Sequence, residues 1–361
     1  MTDLQSPKTI KIALDAMGGD HGVESVIPGA ALALEEKSNL EFIFFGNEIA
    51  IFRELEQYPA LKKVSKIEHT LHAVANTDKL TDALRKGKKT SMRLALDSVK
   101  NGDASCIVSS GNTGALMAMA KLVLTTLPGI GRPAIASVMP TKEGRVVMLD
   151  LGANTQCSVE NLAQFAILGA LFSKALGQAK KPTVGLLNIG SEQMKGNDTL
   201  RDTDQLLRNV SIPGEYYGFV EGNNIMLGTT DVVVTDGFTG NVALKTMEGV
   251  GYFFKEVVSS EFKNSIWSKI GYLISRSVFK RIKSRIDPRV YNGGPFLGLK
   301  GICVKSHGSA DSFSFSRAVL VAANMVEYGF NDTVVNEVEK FSKDQTMVNT
   351  IAMNNKGSVS A

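Results

Sequence analysis

Short β-branched runs alternate with longer helical patterns along the chain. The runs TIKIALDA, EFIFFG, ASCIVSS, AIASVMP, RVVMLDLG, TVGLLNIG and DVVVTDG predict strands, several of them apolar on both faces, as strands covered by helices on each side are. Between them, ESVIPGAALALEE, KTSMRLALDSVKNG and NLAQFAILGALFSKALG carry helical patterns. This alternation predicts an α/β fold with a mostly parallel sheet and right-handed crossovers. No internal repeat and no linker rich in proline or serine interrupts it, so any second lobe forms by the chain crossing over more than once. The polar tail over residues 343–361, ending NNKGSVSA, is expected to fray.

Residues 252–290 depart from the alternation. Apolar residues recur four apart, at Val258, Phe262, Ile266, Ile270, Ile274, Val278, Ile282 and Ile286. Spacing of four drifts slowly around a 3.6-residue helix, which predicts one long amphipathic stripe or two helices meeting near Gly271. Basic residues crowd its second half: Lys269, Arg276, Lys280, Arg281, Lys283, Arg285 and Arg289. Core packing with a solvated face explains this pattern. So does a membrane-surface helix with Trp267 and Tyr272 at the interface, or a docking face for an acidic partner.

Five strands are followed by turns rich in glycine and small polar residues: DAMGGDHG (15–22), SSGNTGA (109–115), DLGANTQC (150–157), NIGSEQMKGND (188–198) and TDGFTGN (235–241). In open α/β sheets ligands bind where strands end and helices begin, because helix N-termini present unpaired N–H groups there. One such turn is a common connector; five point to a shared cleft that holds an oxyanion by backbone amides. There is no G-x-x-x-x-G-K-[ST], no G-x-G-x-x-G, no G-x-S-x-G and no H-E-x-x-H, which counts against a P-loop, a dinucleotide turn, a serine hydrolase and a zinc hydrolase.

Composition changes this picture little. The 361 residues are 43% hydrophobic and 21% charged, ordinary for a globular protein. The formal charge of +4 is too small to imply nucleic acid. Cys106, Cys157 and Cys303 are far apart and lack metal-ligand spacing, so they read as small hydrophobes in a reducing cytosol. The N-terminus has no signal-peptide core, and no apolar run approaches the ~20 residues of a membrane-spanning helix. The expected location is therefore cytoplasmic, with contact at a membrane surface left open.

Several side chains carry two readings. Asp15, Asp150 and Asp236 at strand ends either pin their turns or serve the site. His21 beside Asp20 is an oriented acid or base, or an imidazole bonded within its own loop. His307 sits in the late polar turn VKSHGSAD, and Lys195 is the cation best placed to meet an anion held by a turn.

Eight blocks, ALDAMGGDHG, SSGNTGALMA, RPAIASVMPT, MLDLGANTQC, LLNIGSEQMKGND, FVEGNNI, DVVVTDGFTGNVALKT and GGPFLGLKGICVKSHGSAD, occur in order and together resemble the PlsX family of phosphate acyltransferases over about residues 8–341. Many relatives have Ala-Pro after the first histidine, where this chain has Gly22 and Val23. The resemblance implies a three-layer α/β/α body similar to phosphate acetyltransferases and isocitrate/isopropylmalate dehydrogenases, a single catalytic unit of two interleaved lobes with a cleft between them. It implies transfer of a long-chain fatty acyl group from acyl carrier protein to inorganic phosphate, with no cofactor or metal. The acyl phosphate feeds phospholipid synthesis through a membrane glycerol-3-phosphate acyltransferase. It also implies a homodimer held peripherally at the inner face of the cell membrane.

Phosphate attacking a thioester needs positioning and charge stabilisation more than covalent help. On this reading the turns around Gly18, Gly19, Gly111, Gly237 and Gly240 offer backbone amides, and Ser110, Asn112, Thr113, Thr239 and Asn241 offer side-chain hydrogen bonds. Asn154, Asn188, Ser191 and Glu192 join the substrate-binding set, and Lys195 offsets accumulated negative charge. His21, and after it His307, is placed to give a proton to the departing thiol. Asp15, Asp20, Asp150 and Asp236 would repel phosphate, so they are assigned to accepting N–H groups and fixing turn geometry. Trp267, Arg276, Lys280, Arg281, Lys283 and Arg285 are expected to dock acidic carrier protein or anionic lipid. Competing readings are a dehydrogenase of the isopropylmalate type, for which no metal or nicotinamide motif is found, a short-chain phosphate acetyltransferase, and a non-catalytic membrane-binding scaffold.

Overall fold

The computed structural model describes residues 8–75, 77–78 and 80–357, without the side chains of residues 86, 283, 285, 286 and 348–357. The predicted runs become β1 (Ile10–Asp15), β2 (Leu40–Gly46), β4 (Cys106–Ser109), β5 (Ala134–Thr141), β6 (Gly144–Leu149), β7 (Thr183–Leu187) and β9 (Val232–Val234). Four further strands carry too weak a pattern to be read from sequence: β3 (Ser65–His69), β8 (Glu215–Val220), β10 (Gly294–Leu297) and β11 (Ile302–Lys305). The helices are α1 (Val23–Glu36), α2 (Glu48–Leu55), α3 (Pro59–Lys63), α4 (Leu80–Lys86), α5 (Ser91–Asn101), α6 (Thr113–Leu124), α7 (Val159–Ala175), α8 (Asp198–Asn209) and α9 (Gly222–Leu227). They continue as α10 (Gly237–Lys263), α11 (Ile266–Ile286), α12 (Ser312–Glu327) and α13 (Phe330–Gly357).

Among the described residues one eleven-stranded sheet forms, in the order β3-β2-β1-β4-β11-β10-β5-β6-β9-β7-β8. The five strands from β3 to β11 are mutually parallel, as are the four from β6 to β8. Between these halves β10 runs antiparallel to β11 and β5, and β5 runs antiparallel to β6. The two parallel halves therefore point in opposite directions.

Register decides where their carboxyl ends lie. Asp15 pairs with Ser109, Ser109 with Lys305, and Lys305 with Gly294. The pairing of Phe296 with Ile135, carried on along the ladder, sets Gly294 against Ser137, which pairs with Met148. Met148 is two residues short of Asp150. The carboxyl ends of both halves thus meet at one level of the sheet, across five strand spacings of about 4.8 Å.

The core divides differently on the two faces. On one face a single apolar cluster runs under both halves, joining Ile12, Val108 and Val304 to Val147, Leu186 and Val234, and α1, α7, α12 and α13 cover it. On the opposite face there are two clusters. One contains Ala13, Ile107 and Cys303 with α5 and α6; the other contains Met148 and Val233 with Ile225 of α9 and the base of α10. Ile135 of β5 touches both. The split face leaves a divide above β10 and β5, where the strand ends meet.

Two elements depart from the sequence expectation. The expected break near Gly271 lies instead at Asn264 and Ser265, because the Ser265 hydroxyl caps α11 through Ser268 N–H, while Gly271 lies inside α11. In this hairpin Phe262, Tyr272 and Phe279 cluster between α10 and α11, whereas Ile266, Ile270, Ile274, Val278 and Ile282 are exposed. Core packing thus does not account for that stripe. The second departure is the tail: α13 runs through to Gly357, anchored by buried Val334, Val338 and Phe341 and by Asp344 accepting Ser211 N–H. Residues 358–361 lie outside the described residues.

Candidate functional site

Three turns close on one another at the end of the first half-sheet. Asp15, the last residue of β1, is buried and accepts the hydroxyls of Ser91 at 2.6 Å and Ser109 at 2.7 Å, with Met17 N–H at 3.3 Å. Burial raises its carboxyl above the ordinary range, and these hydrogen bonds oppose the rise. Ser109 Oγ in turn accepts Gly111 N–H at 3.1 Å, and Ser110 Oγ donates to Gly18 O at 2.8 Å. Asp20 N–H donates to Gly308 O at 2.8 Å, which ties in the turn that carries His307. A side chain at Gly18 would put its Cβ 2.7 Å from Gly111 N, so the close approach requires glycine.

Beyond this cluster the helix α6 begins at Thr113, with Asn112 Oδ1 accepting Ala115 N–H as its cap. His307 is exposed, and its ring is held: Nδ1 accepts Ser309 N–H at 3.3 Å and lies 2.9 Å from Ser309 Oγ. A nitrogen that accepts cannot carry the proton of a neutral imidazole, so Nε2 carries it. Asn292 fixes the backbone below, its Oδ1 accepting His307 N–H and its Nδ2 donating to Ser306 Oγ. His21 is exposed, and among the described residues only its backbone carbonyl is bonded, accepting Glu24 N–H.

At the end of the second half-sheet Asp150 organises a comparable turn. Its carboxylate accepts Ile135, Gly152 and Ala153 N–H on Oδ1, and Asn154 N–H and Nδ2 on Oδ2. Gly237 N–H donates to Asn154 O at 2.7 Å, which draws the start of α10 onto this turn. A Cβ on Gly240 would sit 1.9 Å from Asp150 O, so only glycine fits there. Asp236 caps α10 by accepting Thr239 N–H and Thr239 Oγ1, and Asn241 lies against Gly152.

The remaining predicted residues lie after β7 and on α11. Asn188, Ser191, Glu192 and Lys195 belong to the loop between β7 and α8, two strands from β6. Asn188 folds this loop by donating to Lys195 O at 3.2 Å, and Lys195 is exposed, with no ion pair among the described residues. Trp267, Arg276, Lys280 and Arg281 are exposed on α11; the side chains of Lys283 and Arg285 lie outside the described residues. Two of the expected hydroxyl donors are engaged within their own turns, and a hydroxyl has one proton. In this structure Ser110 gives its proton to Gly18 O and Thr239 gives its proton to Asp236, so both hold turns.

Sequence reasoning missed Ser91, Ser109, Asn292 and Lys305. Lys305 ends β11 as Asp15 ends β1, a polar residue closing an apolar run, and that signal was present in ICVK. Its ammonium donates to Ser110 O at 3.2 Å and to Ser306 O. Burial lowers its pKa from 10.5 to about 8, opposed by the charges of Asp15 and Asp20 and by Cys303.

A family model described as "Fatty acid synthesis protein" matches residues 10–333. A phosphate acyltransferase of Rhodospirillum centenum is 52% identical over 329 residues, 91% of this chain and 93% of the relative. One from Paramagnetospirillum magneticum is 46% identical over 343 residues, 95% and 98% of the two chains. The chain belongs to the PlsX family of phosphate acyltransferases. It is an acyltransferase of lipid synthesis. In solved structures its fold is similar to a phosphotransacetylase from Streptococcus pyogenes, with TM-score 0.57 at 20% identity over 88% of this chain and 94% of the other. It is similar as well to the EutD phosphotransacetylase of Staphylococcus aureus, with TM-score 0.56 at 15% identity and the same coverage. In this PlsX chain, then, the two strand-end clusters lie at the level where the opposed half-sheets meet.

Proposed function

We propose that this phosphate acyltransferase takes a long-chain acyl group from the thioester of acyl carrier protein and places it on inorganic phosphate at the divide between its half-sheets. One phosphate oxygen attacks the thioester carbonyl, the C–O bond forms, the C–S bond breaks, and the phosphopantetheine thiolate leaves and takes up a proton. Backbone N–H groups at the start of α6 and α10 hold the anion and the tetrahedral oxyanion, while Asp15 and Asp150 keep those turns in place. His307 Nε2–H, oriented by Ser309 where His21 has no such partner among the described residues, hydrogen-bonds the departing sulfur, and the proton that the thiolate takes up is the one HPO₄²⁻ gives up as its oxygen becomes part of the acyl phosphate.

The observation that carries this reading is the register that sets the carboxyl ends of both half-sheets at one level, with Asp15 and Asp150 each accepting the donors of its own turn. The exposed apolar and basic hairpin of α10 and α11 supports a membrane-surface contact, with anionic lipid or acidic carrier protein on Arg276, Lys280 and Arg281 and a second copy of the chain beside it. The product then passes to a membrane acyltransferase that acylates glycerol 3-phosphate. Thiol release from palmitoyl-acyl carrier protein, measured with and without phosphate, tests the reaction. Release that depends on phosphate and outpaces acetyl-coenzyme A turnover supports it; release that ignores phosphate sinks it.

A further inference from the structure

Three adjacent parallel strands end in polar residues in direct register: Asp15 on β1, Ser109 on β4 and Lys305 on β11. Alternation puts all three on the face of Ala13, Ile107 and Cys303, the divided face of the sheet. Ser109 Oγ turns towards Asp15, away from Lys305. The Lys305 ammonium carries three N–H groups and donates to two carbonyls, Ser110 O and Ser306 O, each in a turn of the first cluster. Among the described residues no carboxylate lies within ion-pair distance of it, and a largely buried ammonium with only neutral acceptors costs heavily. Its third N–H has no acceptor among the described residues, and the loops around it are those that hold the start of α6.

We propose that Lys305 binds the phosphate substrate directly, its third N–H donating to a phosphate oxygen in the first-lobe cluster. The assignment deepens the acyl-transfer reading and rests on it. The phosphate supplies the negative charge that the ammonium lacks, and the ammonium offsets the charge that Asp15 and Asp20 place near the anion. Lys195 belongs to the loop after β7 in the other half-sheet, and the cation of the first half-site comes from the sheet itself. Asp15, Asp20 and Cys303 are the titratable groups acting on Lys305, while Ser109 and Gly294 on the flanking strands bring no charge. The amine is charged below about pH 8, so it grips phosphate there and releases it as the pH rises through that value.

The test measures inorganic phosphate binding by phosphorus NMR titration of the full chain, alongside KM for phosphate and for palmitoyl-acyl carrier protein. Lys305→Met is expected to raise Kd and KM for phosphate by about tenfold or more, the loss of one charge-assisted hydrogen bond, and to leave KM for the carrier within about twofold. Lys305→Arg is expected to restore part of the binding and to abolish the weakening above pH 8, a shift that a merely structural role does not produce. Should Lys305→Met fail to fold, Lys305→Arg compared with wild type at pH 7 and pH 9 carries the test. Unchanged phosphate affinity in a folded Lys305→Met chain overturns the proposal, as does a change confined to carrier KM. Phosphate binding without thiol release in the wild type overturns the acyl-transfer reading and leaves Lys305 as an anion site. A wild type that neither binds nor uses phosphate overturns both.

Discussion

Asn154 donates its backbone N–H at 2.7 Å and its side-chain amide at 2.9 Å to the same oxygen, Oδ2 of Asp150. The other oxygen takes Ile135 N–H from β5 with Gly152 and Ala153 N–H, so one carboxylate joins a neighbouring strand to the turn that follows β6. Asp150→Ala strips five donors of their acceptor at a buried position. An unpaired buried donor costs about 1–3 kcal/mol, and water relieves part of it, so unfolding stability is expected to fall by about 3 kcal/mol or more. A urea titration reads this as a lower midpoint; a midpoint equal to wild type removes Asp150 from the organising role.

Asp15→Ala acts on catalysis more than on assembly. Without the carboxylate, the Ser109 and Ser91 hydroxyls lose their acceptor and the Gly18–Gly111 contact loosens. Misplacement of a positioning loop costs about a hundredfold in turnover. Phosphate-dependent thiol release is expected to fall by that order while circular dichroism stays native. Wild-type turnover in this variant contradicts the assignment.

Lys305 also gives stability a pH dependence. Its folded pKa is about 8 and its ordinary value is 10.5, lowered chiefly by burial. Between these values the unfolded chain holds the proton that the folded chain has released, so stability rises with pH across this window, on the order of 3 kcal/mol at most. Below about 8 both forms are charged and the cost of the buried ammonium is fully present. Urea stabilities of wild type and Lys305→Met, subtracted from pH 7.5 to 10, cancel the other titrating groups. The difference is expected to slope in favour of wild type with rising pH; parallel curves refute the depressed amine.

The hairpin has a surface signature that folding does not need. Trp267 is 78% exposed and Ile274 79% exposed. Replacing both by Ser removes two apolar groups from any lipid contact, worth about 1.5–3 kcal/mol each when buried, so pelleting with anionic vesicles is expected to weaken about tenfold or more. The unfolding midpoint stays within error because neither side chain is packed. Vesicle binding that survives the double substitution rules the hairpin out as the contact.

Much of the architecture was legible because burial imposes a simple composition. Strands such as Cys106–Ser109 and Val232–Val234 lie inside the sheet and are buried at every position, and the sequence marks them with continuous apolar runs. Ser65–His69 and Glu215–Val220 escaped because they are the two edge strands, each with a single neighbour and polar exposed positions. Gly294–Leu297 and Ile302–Lys305 escaped because they sit in and directly after the glycine-rich GGPFLGLKG, which reads as a turn. The site was legible in its glycines, acids and small polar residues, since a chain that turns sharply at a strand end needs them whatever its partners.

The sequence alone determined the alternation of strand and helix, the polar strand ends and the family, because each is written in local spacing. Tertiary structure alone decided that the two half-sheets run in opposite directions yet end at one level, since direction and register belong to pairs of strands distant along the chain. It decided also that Lys305 stands beside Ser109, nearly two hundred residues away, and that the Ile266–Ile282 stripe faces outward. Both depend on which surface a neighbour covers, and no local pattern specifies a neighbour.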